Sequence, residues 1–112
     1  MDCLFCKIVR GEIQVPRLAE DEFGLAFPDI NPGAPVHVLV VPKEHVATLP
    51  DAAARPELIG RLHALAVKVA RDKGIEQSGY RTAFNVGKDG GQHVFHLHLH
   101  LLGGRPLGWP PG

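Results

Sequence analysis

Hydrophobic and polar residues alternate most regularly near the C-terminus, over residues 95–102. Histidines at positions 96, 98 and 100 alternate there with leucines at positions 97, 99 and 101. A period of two predicts a β-strand with one polar and one apolar face. Residues two apart on a strand lie roughly 6.5–7 Å from one another, so the three imidazoles should form a row on one face. The leucines should face the other side and pack on a helix.

Hydrophobic runs elsewhere predict further strands. Residues 36–41 are apolar and β-branched almost without interruption and precede Pro42, a pattern typical of a buried central strand. Residues 18–21 and 23–27 are joined by an acidic turn and predict a hairpin. Residues 80–87 predict another strand, which a glycine-rich turn connects to the histidine stretch. Together these segments predict a mostly antiparallel sheet of about five strands.

The pattern also predicts two helices, one long and one short. The long helix should begin at Pro56 and end before Gly74, because proline is favoured in the first helical turn and glycine just beyond the last. Its apolar stripe should cover the leucine face of the sheet, whereas His63 should lie at the solvated surface. The stripe consists of Leu58, Leu62, Leu65, Ala66 and Val69. The short helix should lie near the N-terminus between Asp2, as its capping residue, and Gly11.

Proline and glycine concentrate in the connections and in the C-terminal tail. Residues 28–35 predict a rigid loop, and residues 103–112 predict an arm without regular structure. The arm carries Trp109, the only tryptophan of the chain, which we expect to dock on a partner surface. No internal repeat or linker interrupts the sequence, so residues 1–112 should form one domain. The predicted fold class is α+β.

Composition and charge exclude several classes of function. Twelve basic and twelve acidic side chains cancel, which predicts neither a nucleic-acid partner nor a charged membrane surface as partner. The sequence has no apolar run long enough to span a bilayer and no basic segment followed by an apolar stretch at its N-terminus. We therefore expect a cytoplasmic protein. Three histidines on one strand face indicate a functional site, because burying them costs free energy unless they gain partners.

The histidine stretch matches a known family signature. Residues 96–102 fit the pattern His-x-His-x-His-x-x, with x apolar, and so resemble the histidine triad (HIT) family of nucleotide hydrolases and transferases. Their surroundings look like the Hint branch of that family, the purine nucleoside phosphoramidases. Matching stretches cover essentially the whole chain, at residues 27–30, 37–45, 84–87 and 89–112. The Trp-Pro-Pro-Gly ending is typical of the Hint branch.

The resemblance implies hydrolysis of AMP-type nucleoside 5′-phosphoramidates through a covalent nucleotidyl-histidine at His98. The chemistry supports this role, because a neutral imidazole nitrogen is available near pH 7 and the N–P bond that it forms is labile. The other ring nitrogen must be held as N–H, normally by a backbone carbonyl. His100 would contact the α-phosphate or the leaving group. His96 completes the triad, and the resemblance places His37 beside it as a buried catalytic partner.

The resemblance also implies a nucleotide-binding set. Asp29 would accept hydrogen bonds from both ribose hydroxyls, although an Asp in this position is also typical of a capped turn. Ile30 would pack on the base, and Asn85 would contact the ribose or the phosphate. Backbone N–H groups of the glycine-rich loop would approach a phosphate. The full set comprises Asp29, Ile30, Asn85, Gly91, Gln92, His93, Val94, His98, His100 and Trp109.

Cys3 and Cys6, the only cysteines, form a C-x-x-C pair that predicts a second site. Two thiolates together with the imidazoles of His45 and His96 satisfy tetrahedral Zn²⁺. Such a zinc would be structural, since protein ligands fill all four positions. Two other interpretations stay open at this stage. One is a redox pair, which would need a thioredoxin-like βαβ context, and the other is two unpaired buried thiols.

His93 departs from the pattern of the family. The Hint branch commonly has a Ser in this position that contacts the phosphate and the leaving group. An imidazole is larger than a hydroxyl and can carry charge, so the resemblance determines neither the leaving-group preference nor the rate of this chain, although it still implies the fold.

The resemblance further implies a homodimer whose sheets join across the two-fold axis, with Trp109 reaching toward the partner's site. The expected ligand is a purine nucleotide. Two other functions remain open: a dinucleoside polyphosphate hydrolase of the same family, and a purine-nucleotide-binding regulatory module with little catalysis.

Overall fold

A computed structural model of the chain describes residues 3–112. In chain order the elements are α1 (Leu4–Val9), β1 (Ala19–Glu20), β2 (Gly24–Pro28), β3 (Val36–Pro42), α2 (Leu49–Ala52), α3 (Pro56–Asp72), β4 (Tyr80–Phe84) and β5 (Leu99–Gly103). All strand pairs are antiparallel, and the order across the sheet is β1-β2-β3-β5-β4. The predicted α+β class, the five-stranded sheet, the long helix and the short N-terminal helix are confirmed.

The two faces of the sheet pack against different helices. Leu97, Leu99 and Leu101 lie in one buried cluster with the apolar stripe of α3, as predicted. On the opposite face, Phe5 and Ile8 of α1 pack in a second cluster with side chains of β2 and β3. The central strand β3 contributes alternate residues to both clusters. Burial on both faces explains why its sequence is an almost continuous apolar run.

The histidine strand is shorter than predicted. Regular pairing begins only at Leu99, so His96 and His98 lie in an irregular segment before β5. Pro42 ends β3 where the ladder would reach this segment, and proline has no N–H to donate. The Leu97 N–H instead donates to the Val46 carbonyl at 2.6 Å. The alternation nevertheless persists, with the leucines buried against α3 and the histidines toward α1.

Four smaller details differ from the sequence predictions. β4 ends at Phe84 rather than at residue 87, because the chain turns there. The four-residue helix α2 was not predicted, since a single turn shows no hydrophobic period. His63 is half-buried rather than solvated, with its ring 5.7 Å from that of Phe84 and its Nδ1–H donating to the Ile59 carbonyl. The predicted capping residue Asp2 lies outside the described residues, and Cys3 occupies the N-cap position of α1.

The C-terminal arm is held at two points along the body of the molecule. Arg81 on the edge strand β4 donates to the Gly108 carbonyl at 2.9 Å, and its guanidinium lies 5.6 Å from the Trp109 ring centroid. Arg105 donates to the Gly33 carbonyl at 3.0 Å. Trp109 itself is 79% exposed.

Over the described residues, none of the helices combines the length and the apolar composition that a bilayer span requires.

The packing of α3 predicts the effect of removing one of its core side chains. Leu62 is fully buried between α3 and the sheet, so Leu62→Ala should lower the free energy of unfolding by about 2–5 kcal/mol. Val67 lies on the same helix but is 39% exposed, and Val67→Ala should change that free energy by less than about 0.5 kcal/mol. Urea unfolding followed by circular dichroism measures both. Equal losses in the two variants would contradict the packing described here.

Candidate active site and metal centre

Two clusters of histidines lie on the sheet face opposite α3. In the first cluster, the rings of His98 and His100 are 5.0 Å apart, and the His37 ring is 5.2 Å from that of His100. In the second, the His96 ring lies 5.0 Å from that of His45. The predicted row of imidazoles therefore has two ends. His37, His98 and His100 lie at one end, and His45 and His96 lie at the other, beside the cysteines.

The proton of His98 is fixed by the backbone. Its Nδ1 lies 2.8 Å from the His96 carbonyl, which can only accept, so Nδ1 carries the hydrogen. Nε2 then keeps an unprotonated lone pair. Burial lowers the pKa of His98, against the opposing effect of this hydrogen bond, and keeps the ring neutral at pH 7. The carbonyl partner that a nucleophilic histidine requires is thus present.

A second chain of hydrogen bonds orients His100. The Gly33 N–H donates to His37 Nδ1 at 2.8 Å, so the hydrogen of His37 must be on Nε2. That N–H lies 2.9 Å from His100 Nδ1, which therefore accepts and leaves the His100 hydrogen on Nε2. Burial, with smaller contributions from His98 and His37, lowers the pKa of His100 to about 4. His100 is thus a neutral ring with an Nε2–H to donate, beside the neutral ring of His98.

Asp29 fits both interpretations of its position. Its Oδ1 accepts the Asn31 N–H at 2.8 Å, as in a capped turn, whereas its Oδ2 lies 3.3 Å from His37 Nε2. The carboxylate therefore lies beside the triad and is held by the turn. The neighbouring Ile30 is 91% exposed, an unusual position for a large apolar side chain.

Two N–H groups of the glycine-rich turn are used inside the turn itself. The N–H of Gly91 donates to the Lys88 carbonyl, and the N–H of Gln92 donates to the Gly87 carbonyl. The buried Gln92 side chain is occupied as well, since its amide bridges the carbonyls of residues 47 and 94 and accepts from the Gly87 N–H. Gly91 and Gln92 therefore build the loop, with their N–H groups engaged inside it.

Other atoms of the loop remain available to a ligand. Within residues 3–112, the backbone N–H groups of His93 and Val94 donate to no protein acceptor, and the His93 side chain is exposed. Asn85 supports the turn, because its Nδ2 donates to the Gly90 carbonyl at 2.6 Å. Gly90 has no room for a side chain, since a Cβ there would lie 2.4 Å from the Val86 carbonyl oxygen.

Four ligand atoms converge at the other end of the row. Cys3 Sγ lies 3.3 Å and Cys6 Sγ 3.5 Å from His96 Nδ1. His45 Nδ1 lies 3.2 Å from His96 Nδ1 and 3.3 Å from Cys6 Sγ. A tetrahedral zinc site with ordinary bond lengths has ligand–ligand distances of about 3.3–3.6 Å for these pairs. The predicted ligand set is therefore assembled with dimensions that fit Zn²⁺.

Protonation within the cluster also suits a cation. His96 Nε2–H donates to the Pro42 carbonyl at 2.8 Å, which leaves the Nδ1 lone pair directed at the other three ligands. Burial and the neighbouring Cys3 raise the pKa of the Cys6 thiol, so two adjacent thiolates need a positive ion beside them. The cysteines form no disulfide. Within residues 3–112 they lie at the start of α1, which no strand precedes, and each thiol contacts an imidazole.

Phe5 was missed as a residue of the site. Its ring centroid lies 5.2 Å from that of His98 and 5.9 Å from that of His96, in edge-on contact with both. The sequence places Phe5 only on the apolar side of a short helix, because nothing in a helical pattern tells which rings the apolar side will touch.

Comparisons with known proteins agree with this geometry. The HIT domain profile matches residues 10–107. The purine nucleoside phosphoramidase of Escherichia coli (strain K12) is 44% identical over 108 residues, which cover 96% of this chain and 91% of that protein. An uncharacterized HIT-like protein of Synechocystis sp. is 51% identical over 114 residues, covering 99% of this chain and 97% of its own.

Solved structures show the same fold. A HIT family hydrolase from Legionella pneumophila Philadelphia 1 superposes with a TM-score of 0.95 at 50% identity and covers 99% of this chain and 100% of its own. A zinc-bound histidine triad family protein from Mycobacterium smegmatis has a TM-score of 0.82 at 39% identity, covering 94% and 76% respectively. The match over nearly the whole length, on a chain whose three histidines lie together as the signature requires, shows that this protein belongs to the histidine triad (HIT) family.

Proposed function

We propose that this protein hydrolyses AMP-type nucleoside 5′-phosphoramidates through a nucleotidylated His98. The observation that carries the proposal is the hydrogen bond from His98 Nδ1 to the His96 carbonyl, because it leaves Nε2 as a neutral nucleophile. The similarity to the E. coli purine nucleoside phosphoramidase supports the class of substrate. The HIT hydrolase from Legionella supports the class of reaction.

The first step transfers the nucleotide to the enzyme. The Nε2 lone pair of His98 forms a bond to the α-phosphorus while the P–N bond to the leaving amine breaks. The departing amine takes up a proton from solvent, while the neutral His100 donates its Nε2–H as a hydrogen bond to the leaving group or the α-phosphate. Charge on the phosphoryl oxygens would be stabilised by the N–H groups of His93 and Val94, which donate to no acceptor within residues 3–112. The exposed His93 side chain would then lie near the leaving group and influence its choice.

The second step returns the enzyme to its starting state. A water molecule attacks the phosphorus and releases a proton to solvent, the electron pair of the N–P bond returns to His98 Nε2, and a nucleoside monophosphate leaves. His98 regains its neutral form because the His96 carbonyl holds the Nδ1 hydrogen throughout. His37 acts through His100, whose ring it orients, and Asp29 Oδ2 lies 3.3 Å from His37 Nε2.

Recognition of the nucleotide is proposed from the side chains around the triad. The Asp29 carboxylate would accept hydrogen bonds from the ribose hydroxyls, and exposed Ile30 would cover the purine base. Asn85 would hold the glycine-rich loop through its hydrogen bond to the Gly90 carbonyl, in addition to contacting the nucleotide. Gly91 and Gln92 would likewise shape the phosphate loop.

We further propose a cytoplasmic homodimer. Strand β4 is an edge of the sheet, and its outer N–H and C=O groups are available to pair with a second copy. The exposed Trp109 on its anchored arm would reach the partner's site.

We also propose that Cys3, Cys6, His45 and His96 bind Zn²⁺. Such an ion would stabilise the N-terminal segment against the sheet, and it would leave no open position for water or substrate.

The nucleophile proposal predicts the behaviour of His98→Ala. Turnover of an adenosine phosphoramidate should be abolished, while AMP binding should persist because Asp29 and Ile30 are untouched. Intact-protein mass spectrometry after brief incubation should detect a nucleotidyl adduct on the wild type and none on the variant. His63→Ala, which removes a half-buried histidine far from the triad, is the matched control and should keep its activity.

A leaving-group panel separates the candidate functions. Preference for P–N over P–O–P substrates supports the phosphoramidase, and the reverse preference supports a dinucleoside polyphosphate hydrolase.

Turnover of His98→Ala within about tenfold of the wild type would contradict the covalent mechanism.

The metal proposal predicts about one zinc per chain in protein purified under reducing conditions. Cys6→Ser should lose most of that zinc and melt at a lower temperature, because metal binding free energy contributes to folding. Elemental analysis and thermal unfolding measure the two effects. Absence of zinc from carefully reduced wild-type protein would refute the proposal.

The pKa of His100 predicts a loss of stability in acid. An ordinary histidine takes up its proton near pH 6.5, whereas folded His100 does so only at about 4. Between these values the unfolded chain binds the additional proton, so the free energy of unfolding should fall as the pH falls from 6.5 toward 4. Urea unfolding of zinc-loaded protein across this range measures the slope, and His100→Gln should reduce it. An NMR titration midpoint of His100 near 6.5 would contradict the prediction.

A further inference from the structure

The metal-ligand cluster and the nucleophile share a residue. His96 contributes its side chain to the cluster and its backbone carbonyl to His98 Nδ1. Any rotation of the His96 backbone would therefore move the group that sets the His98 tautomer. The geometry thus connects a metal ligand to the reactive nitrogen through a single residue and one hydrogen bond.

The His96 ring is fixed at both of its nitrogens. Nε2–H donates to the Pro42 carbonyl, and Nδ1 lies within 3.5 Å of Cys3 Sγ, Cys6 Sγ and His45 Nδ1. The residue has no exposed surface. A ring held on both edges restricts the backbone to which it is attached, and so restricts the direction of its carbonyl.

The sheet does not provide this restriction. Strand pairing begins at Leu99, beyond both His96 and His98, so the His96 carbonyl takes no part in the strand ladder. The backbone bond that holds the intervening residue runs from the Leu97 N–H to the Val46 carbonyl. Val46 directly follows His45, another ligand of the cluster. The segment that carries the nucleophile is therefore anchored through neighbours of the metal ligands.

Phe5 provides a second connection. It lies between the two cysteines in the sequence, and Cys3 caps α1 by accepting the Cys6 N–H at 3.4 Å. The Phe5 ring contacts His98 edge-on at 5.2 Å between centroids. The cysteine pair that would hold the metal therefore also sets the position of the ring packed against the nucleophile.

We propose that zinc binding by this cluster positions the nucleophile: His96, as a metal ligand, holds its carbonyl so that His98 keeps the hydrogen on Nδ1, and Phe5 limits the motion of the His98 ring. His96 and Phe5 are positioning residues in this arrangement. The catalytic consequence rests on the proposed function, whereas the effect on the His98 tautomer requires no substrate. Misplacement of a reacting group by about 1 Å can lower a rate about a hundredfold, so a small movement of His96 is sufficient.

The test compares zinc-loaded wild type with chelator-treated wild type by ¹⁵N NMR of labelled histidines. The loaded protein should show His98 with its hydrogen on Nδ1, and zinc removal should give a mixture of tautomers that Zn²⁺ reverses. The single-turnover rate of His98 nucleotidylation should fall about tenfold or more on zinc removal. AMP affinity should change far less, because the proposed base and ribose contacts lie elsewhere.

Two variants separate positioning from stability. Leu62→Ala destabilises the chain from the opposite face of the sheet and should keep the wild-type His98 tautomer and rate while folded. Phe5→Leu keeps all four ligands and should keep its zinc, yet broaden or shift the His98 signals and slow nucleotidylation. If zinc removal unfolds the chain, Phe5→Leu decides the question with its metal in place.

The outcomes are distinct. An unchanged His98 tautomer after zinc removal overturns the proposal. Where the metal-free chain is unfolded, unchanged His98 signals and an unchanged nucleotidylation rate in Phe5→Leu overturn it instead. A changed tautomer with an unchanged rate overturns it too, as does an equal shift in Leu62→Ala. A zinc-dependent tautomer in a wild type that forms no nucleotidyl adduct would leave the positioning intact and refute the proposed function instead.

Discussion

Buried imidazoles need partners for their nitrogens, and in this protein backbone groups provide the decisive ones. The Pro42 carbonyl determines the protonated nitrogen of His96, the His96 carbonyl that of His98, and the Gly33 N–H that of His37. Because a carbonyl only accepts and an amide N–H only donates, each contact permits one tautomer of a neutral ring. The proposed function depends on this constraint, since a His98 ring with the opposite tautomer would present a hydrogen where the proposed reaction needs a lone pair.

The fold allows this arrangement because the central strand is covered on both sides. β3 lies between α3 and α1, and it contributes His37 at one end and the Pro42 carbonyl at the other. A rigid strand therefore sets both ends of the histidine row. Backbone groups on such a strand keep their positions better than side chains on a loop would.

The sequence was most informative where burial follows a period. The alternation of His98 and His100 with leucines predicted which side chains enter the core, and the α3 stripe followed the same rule. The ligand set of the cysteines was predictable because metal chemistry restricts residue types and spacing. Three features could not be predicted: the residue at which β5 begins, the use of the Gln92 amide inside its loop, and the contact of Phe5 with His98. Each depends on which atoms face one another in the folded chain, and residue types do not encode that.

Gly33 contributes to the site through its backbone N–H, which most amino-acid substitutions do not change. Its N–H is common to every amino acid except proline, and a methyl group at this position would meet the His37 ring only at ordinary van der Waals distance, 3.7 Å. Gly33→Ala thus leaves the donor in place, so an alanine scan should find activity unchanged at this position. The N–H of Gly33 orients His37, and His37 orients His100. Side-chain substitutions at position 33 would therefore not reveal the contribution of this N–H group, because only proline removes it.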